Sequence, residues 1–563
     1  MTTAPAHAAP DTDDEERSLA AVKPPTVWSR LSVQPYLRYL IPVEVLVLAA
    51  AIAFHWSVLI AAVVAAVALL VAFVAFDQAT SPVWFGRAVR YRWHRLRRRD
   101  GQSRDSEDPQ DNRDRSEPFD VEVPGVGTVG LRWDGECLVS VVELFGTAHT
   151  PTVLMGSAGV SESVVPVPAI AGLVRQHGLV YEALDLVTSG RRVAGTDYAR
   201  AYDAIVGDRP AMGQRSTMVV ARLNPQRCAA ALSWRASVEL AAAAATERIR
   251  IAIEETGCRA VSLRAQELAR STTVLLHHQS PGTVEETWRG IAPTDGDYVN
   301  LYEVPAAAIT NTTLSALWAT RTRLTVVTVR LSPDGHGGVR AGALVRMHTE
   351  GPLAHPPLLN LLPVHGRARD AFFATTPLGR AALRYRMRTA RKTPTELAAL
   401  RMIPGADGQI LGISGTGYPV TVPLSDRLSA TTVKVFSADY VAVQIVGRAA
   451  ATGDTVAIFT DRPQMWRPIL HRGVVMLADA STSHSVSMIV DDLGDSTVSP
   501  PTTAGSTLLV LCRTLDERDA DIAISQIDDR TIRFVTSRFE SALGIRVSRA
   551  EPKFLQHLAP ATR

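Results

Sequence analysis

The sequence predicts a membrane-anchored α/β protein: an N-terminal two-helix transmembrane hairpin, then a large cytoplasmic mixed α/β region containing a parallel strand–helix–strand unit. Three observations predict it. The stretch Leu40–Phe76 is apolar except for Glu44, His55 and Ser57. Arginine and lysine flank that stretch on both sides. From Pro118 onward, short period-two runs alternate with helical patterns, as in soluble α/β cores.

The N-terminal elements follow from length and charge. A bilayer core of about 30 Å takes about 20 apolar residues, so one helix over the whole run would overshoot it nearly twofold. Two spans, 37–54 and 57–76, with a turn at His55 and Trp56, fit. Lys23, Arg30 and Arg38 precede the run, and Arg87, Arg90, Arg92, Arg95, Arg97, Arg98 and Arg99 follow it. The turn has no Lys or Arg. Positive flanks stay cytoplasmic, which puts both termini inside. One long tilted helix, with the C-terminal part outside, is the competing reading. Glu44 is read either as a polar contact between helices or as a group reaching the headgroups. Trp56 suits the interfacial aromatic belt. The arginine run is read as contacting anionic lipid headgroups rather than nucleic acid.

Residues 1–36 read as a polar tail with the acidic run Asp11, Asp13, Asp14, Glu15 and Glu16, and the apolar run begins too late for a signal peptide. Residues 77–117 are an arginine-rich juxtamembrane segment and solvated linker. The net charge of +3 is uninformative because the charges are segregated. Cys137, Cys228, Cys258 and Cys512 lack CxxC spacing and read as free thiols.

Two cytoplasmic subdomains are expected, 118–400 and 401–563. The first opens with strands Phe119–Val123 and Gly127–Trp133, a turn at Asp134–Gly135 and a strand Leu138–Phe145. Helices are expected over Pro168–Gln176, Asp197–Val206, Pro225–Thr256 and near Leu378–Leu400, with Gly257 stopping the third. Leu324–Leu331 and Gly337–Met347 should pair across Pro333–Asp334–Gly335. In the second subdomain, strand Thr431–Phe436, helix Asp439–Thr452 and strand Asp454–Phe459 imply parallel pairing. Strands Ser485–Val490 and Ser506–Cys512 and a helix near Asp528–Leu543 complete it.

Catalytic motifs are missing from the sequence: there is no Walker A sequence, HExxH or GxSxG. The glycine-rich 405–417 loop has no Lys-Ser or Lys-Thr after it. Asp519 and Asp521 have the spacing of a metal-dependent sugar transferase, and Asp491–Asp492 follows a strand and could do similar work, but such a pair is common by chance and Glu517 and Arg518 around the first read as an exposed helix face. Asp461 and Arg462 sit where α/β sheets bind ligands, though local capping and pairing is preferred. Adjacent His277 and His278 cannot share a helical metal site, and His484 has no identifiable acidic partner. No catalytic, metal or cofactor residue is assigned, and no cofactor is expected.

Two motifs carry a family resemblance. The first is Pro118–Asp120 with Val126–Gly135, after two spans and an arginine-rich exit. The second is Val446–Gly453 with Thr460–Pro463 and Trp466. Together they resemble EccE, a membrane component of bacterial type VII (ESX) secretion systems. The resemblance implies a structural, non-enzymatic subunit of the bacterial inner membrane that supports assembly or stability of the export machine. It implies partners of the EccB, EccC and EccD types and the mycosin protease, with the ATPase in EccC. A membrane-tethered glycosyltransferase-like or nucleotide-binding enzyme is the alternative.

Overall fold

A computed structural model describes residues 31–33, 74–76, 79–80, 84–93, 117–555 and 558, with breaks at 196, 293–295, 472, 478–485, 494–501 and 515–516. The chain divides into two compact units, Met1–Leu96 and Arg97–Arg563.

In the first unit, Val74–Phe76 pairs antiparallel with Leu31–Val33 and with Ala79–Thr80. A helix occupies 84–93. The predicted spans, with Glu44, His55 and Trp56, lie outside the described residues, except that Val74–Phe76 is a strand rather than the end of the second span. Among the described residues no helix is long and apolar enough to cross a membrane.

The second unit contains two large sheets. The first is antiparallel. Its main strands are β1 (Phe119–Val123), β2 (Gly127–Asp134), β3 (Cys137–Leu144), β4 (Leu179–Arg191), β5 (Gln214–Leu223), β6 (Tyr298–Val304), β7 (Leu324–Pro333) and β8 (Val339–Thr349). They lie in the order β6-β8-β7-β4-β5-β3-β2-β1. All eight residues of β3 are buried because both faces of the sheet are covered. Leu138, Val142 and Leu144 enter the core under α2 (Val238–Glu254), while Val139 and Val141 enter the one under α3 (Ala265–Leu275). At Gly130, a Cβ would lie 2.4 Å from the backbone at the start of α3, so only glycine permits that approach.

The second sheet is mixed. Six parallel strands run in the order Val474–Met476, Val456–Phe459, Met488–Asp491, Thr507–Leu511, Thr431–Phe436, Ile522–Asp528. Antiparallel strands Thr531–Thr536, Glu540–Gly544, Gln409–Ile413, Pro419–Val422, Thr152–Met155 and Ala158–Ser161 extend it. The last two come from the N-terminal part, so residue 400 does not divide the sheets, and residues 97–563 are one unit. Thr431–Phe436 alternates buried and half-buried residues; Val433 and Val435 pack into the core with α1 (Asp197–Val206) and α4 (Asp439–Thr452). At Gly447 a Cβ would lie 2.7 Å from the Tyr198 ring, so glycine lets α1 lie close against α4.

Four local expectations change. Thr431–Phe436 and Val456–Phe459 share the parallel sheet but do not pair; two strands lie between them. Residues 528–544 form strands rather than a helix, because Ile532 and Phe534 alternate into the core with period two. The 225–256 helix is interrupted: α2 starts only after Ser237, whose Oγ accepts from Leu240 N at 3.0 Å. Residues 378–400 hold two short helices, Arg380–Leu383 and Pro394–Ala398, with strand Ala390–Lys392 between them. Glu396 and Thr393 cap the second reciprocally.

Candidate functional site

Open α/β sheets bind ligands beyond the carboxyl ends of strands where neighbouring crossovers leave in opposite directions. Val456–Phe459 and Met488–Asp491 are such neighbours. After Phe459 the chain crosses to the outer strand Val474–Met476, and after Asp491 it crosses the other way to Thr507–Leu511.

At this crevice the chain's own side chains gather on Asp492. Asp492, only 3% exposed, accepts from Thr460 Oγ1 at 2.6 Å, from Trp466 Nε1 at 2.8 Å and from Arg462 Nη2. The hydrogen bond and charge of Asp492 hold the Arg462 guanidinium above its usual range. Its Nη1 donates to Asp439, at the start of α4, at 2.9 Å. Asp461 lies 3.9 Å from Arg513, with both side chains exposed. Thus Arg462 ties two helix starts to a strand end, and Asp461 stands outside that set. Asp491 Oδ1 accepts from Leu493 N at 3.1 Å.

The other candidates are likewise absorbed locally. Asp521 Oδ2 accepts from Thr432 N at 2.7 Å, while Asp519 sits at φ 56° in a turn. Among the described residues, no cluster of three or more His, Cys, Asp or Glu could hold a metal. The 405–417 stretch supplies strand Gln409–Ile413 and most of the turn that pairs it antiparallel with Pro419–Val422. His277 stacks on His348, with centroids 4.2 Å apart. His484 lies outside the described residues. Arg87, Arg90 and Arg92 lie on the 84–93 helix; Arg95, Arg97, Arg98 and Arg99 lie outside the described residues.

A cleft of about 530 Å³ lies on the seam between the sheets. Three ion pairs join the two sides of this seam. Arg215 of β5 meets Asp407 at 2.8 and 3.1 Å. Arg259 meets Asp426 at 2.7 and 2.9 Å. Glu143 of β3 accepts from Arg427 at 2.5 Å. Burial alone would raise Asp426, but Arg259 and the Ser429 hydroxyl hold its carboxyl below the usual range. Asp454, also on the cleft, is pushed up to about 6 by burial, against the Ser487 hydroxyl that donates to it at 2.8 Å.

One cluster escaped sequence reasoning altogether. On the α3 face of the first sheet, Asp185 lies between Arg222, which donates to it, and Arg330, at 2.7 and 2.8 Å. Burial would raise Asp185, but the two guanidinium groups hold it below the carboxylate range. The same arginines reach backbone oxygens of the covering segment: Arg222 those of Thr376 and Leu378, and Arg330 those of Ala382 and Tyr385. Arg132 reaches Pro377 O at 2.5 Å, and Arg346 reaches Leu275 O at 2.9 Å. The available signal was a single charge inside each apolar strand, as in LDLV, VARL and TVRL.

The segment 211–304, which holds β5, α2, α3 and β6, matches the family model described as "Putative type VII ESX secretion system translocon, EccE". By these matches the chain is similar to EccE-family components of type VII secretion systems. It is 28% identical over 343 residues to the ESX-2 secretion system protein EccE2 of Mycobacterium tuberculosis, spanning 60% of this chain and 62% of that protein. It is 30% identical over 267 residues to the ESX-5 protein EccE5 of Mycobacterium marinum, spanning 45% of this chain and 66% of that protein. With the ESX-1 protein EccE1 of Mycolicibacterium smegmatis it shares 25% identity over 365 residues. The first two alignments therefore span somewhat less than two thirds of those relatives. Both EccE-like motifs of the sequence fall on defined structure. Val126–Gly135 holds β2 and its turn, and Val446–Gly453 is the end of α4, closed by Gly453 at φ 117°. Thr460, Arg462 and Trp466 of the second motif are the donors that surround Asp492.

Proposed function

We propose that this EccE-family chain is a structural, non-catalytic subunit of a type VII secretion complex in the bacterial inner membrane. Two spans within 37–76 anchor it, both termini are cytoplasmic, and the α/β unit braces neighbouring subunits of the EccB, EccC and EccD types and the mycosin protease. The observation that carries this reading is the set of side chains gathered on Asp492 at the strand ends. Thr460, Arg462 and Trp466 all donate to Asp492, and Arg462 also holds Asp439, which supports rigidity at the place where an α/β enzyme would bind its ligand.

The test is a tag at Arg563 in cells that express the whole secretion system. Detergent extraction and native electrophoresis should show the chain in a large complex, and its co-purifying partners should be secretion subunits. Migration as a free monomer alone would sink the reading. Replacement of Asp461 or Asp519 by Ala should leave both assembly and export intact. Lost export with intact assembly would turn the reading toward an enzyme. Protease access to the tag tests the topology.

A further inference from the structure

The helix at 84–93 has two unlike sides. At roughly 100° per residue, Trp84, Arg87, Ala88 and Tyr91 share one side. All four are half-buried. The opposite side carries Phe85, Val89 and Trp93, spaced by four and exposed by 67%, 50% and 57%. Arg92 borders this stripe on one edge and Arg90 on the other, and both are exposed. The helix contains no Asp or Glu.

We infer that this helix lies flat in the surface of an anionic bilayer, with Phe85, Val89 and Trp93 inserted and Arg90 and Arg92 on lipid phosphates. Three large apolar side chains facing water on less than three turns are costly unless something covers them. A cationic border without carboxylates selects a negatively charged cover. An apolar centre with cations on both rims is the pattern of a monotopic interfacial helix: the rings and Val89 sit about 5–10 Å into the headgroup boundary. The arginine stems lie along the apolar stripe while their heads reach the phosphates. The further cations Arg95, Arg97, Arg98 and Arg99 follow within six residues, adding to the same attraction. The inference rests on the membrane reading of the family but does not need the two spans. It makes 84–93 a second attachment that sets the height and tilt at which the chain leaves the membrane.

The experiment uses the full chain in nanodiscs, with Cys512→Ser to remove its half-exposed thiol. A nitroxide is placed at Val89→Cys on the stripe or at Arg87→Cys on the far side. In discs of phosphatidylglycerol and phosphatidylcholine, the 89 label should collide more with oxygen than with a water-soluble nickel chelate, and the 87 label less so. Phosphatidylcholine-only discs, or Arg90→Gln with Arg92→Gln, should shift the 89 label toward the aqueous value. Equal aqueous exposure at 87 and 89 on anionic discs overturns the inference, as does immersion indifferent to lipid charge. Protection of the 89 label that appears only when other secretion subunits are added, in discs of either composition, also overturns it and makes the stripe a protein contact. If the chain stays soluble without lipid, the span reading fails. The same labels are then measured on phosphatidylglycerol vesicles, where immersion at 89 sustains the helix inference and its absence ends it.

Discussion

The two sheets of the large unit bury their arginines in different ways. On the α3 face of the first sheet the guanidinium groups stand on the strands and grip the backbone of the segments that cover them. Four arginines, Arg132, Arg222, Arg330 and Arg346, reach carbonyl oxygens this way, and Asp185 is the carboxylate that Arg222 and Arg330 share. Arg346 lies 4.6 Å from the centroid of Phe372 and is pushed down to about 9 by burial, so it stays charged at neutral pH. In the second sheet the buried arginine stands on a helix. Arg448 of α4 meets Glu551 at 3.0 and 3.1 Å, and Gln444 and Tyr198 share the same carboxylate. Burial would lower Arg448, but Glu551 outweighs it and raises it.

The difference teaches which parts are fastened by what. Carbonyl clamps fix a covering segment without reading the side chains at the clamped positions, since every residue has a carbonyl. An ion pair fixes one specific residue, here the C-terminal Glu551 against α4. The first device holds 376–385 over the sheet; the second closes the chain's end onto the second core.

Substitutions can break this comparison, starting with the largest effect. Asp185→Ala strands Arg222 and Arg330 without their carboxylate and should cost about 3–5 kcal/mol, read as a fall in the urea midpoint. A loss under about 1 kcal/mol would mean that the carbonyls alone hold the clamp. Glu551→Ala should cost roughly 3 kcal/mol, because Arg448 keeps the carbonyls of Ile410 and Arg546. It should also speed proteolysis of the C-terminal residues before the first sheet opens.

Arg462→Ala should cost about 2 kcal/mol, since Asp492 stays buried but keeps Thr460 and Trp466. A larger loss than at Glu551 would place the chain's main polar lock at the strand ends instead. The smallest effect concerns pH. Asp454 has a folded-state carboxyl raised to about 6, so the folded state holds its proton more tightly than the unfolded one. Below the unfolded value of about 4 it contributes nothing; its destabilisation grows as pH rises toward 6 and is complete above that. Because Asp454 is half-buried, roughly 1 kcal/mol is expected. Asp454→Asn should gain that much at pH 8 and nothing near pH 4, measured by thermal melts across the range.

In the first sheet β1, β2, β3, β7 and β8 were legible as short apolar or alternating runs between turn signals, whereas the central β4 was not read from the sequence at all. β7 and β8 flank a turn at Asp334, whose Oδ1 accepts from His336 N at 3.0 Å, and that turn is written as Pro-Asp-Gly. The region near Asp528–Leu543 was misread because its few apolar residues suit both helix and strand at that length. What decided it was Thr531–Thr536 pairing with both of its neighbours. The crevice was half legible: Asp461 and Arg462 were found at a strand end, but Asp492, thirty residues on, could not be tied to Arg462 before the strand order was known.

The sequence by itself determined the apolar run of 40–76, its positive flanks, the alternation of strands and helices, and the motifs of the EccE family. These are local patterns, set by which side chains leave water together along one element. Only the tertiary structure decided that Asp185 meets an arginine 37 residues away and another 145 residues away, that Thr152–Met155 joins the second sheet, and that Thr460, Arg462 and Trp466 gather on Asp492. The physical reason is the same in each case. A lone charge in an apolar strand must find a partner in the interior, and strand order, which no local period encodes, determines which partner lies within reach.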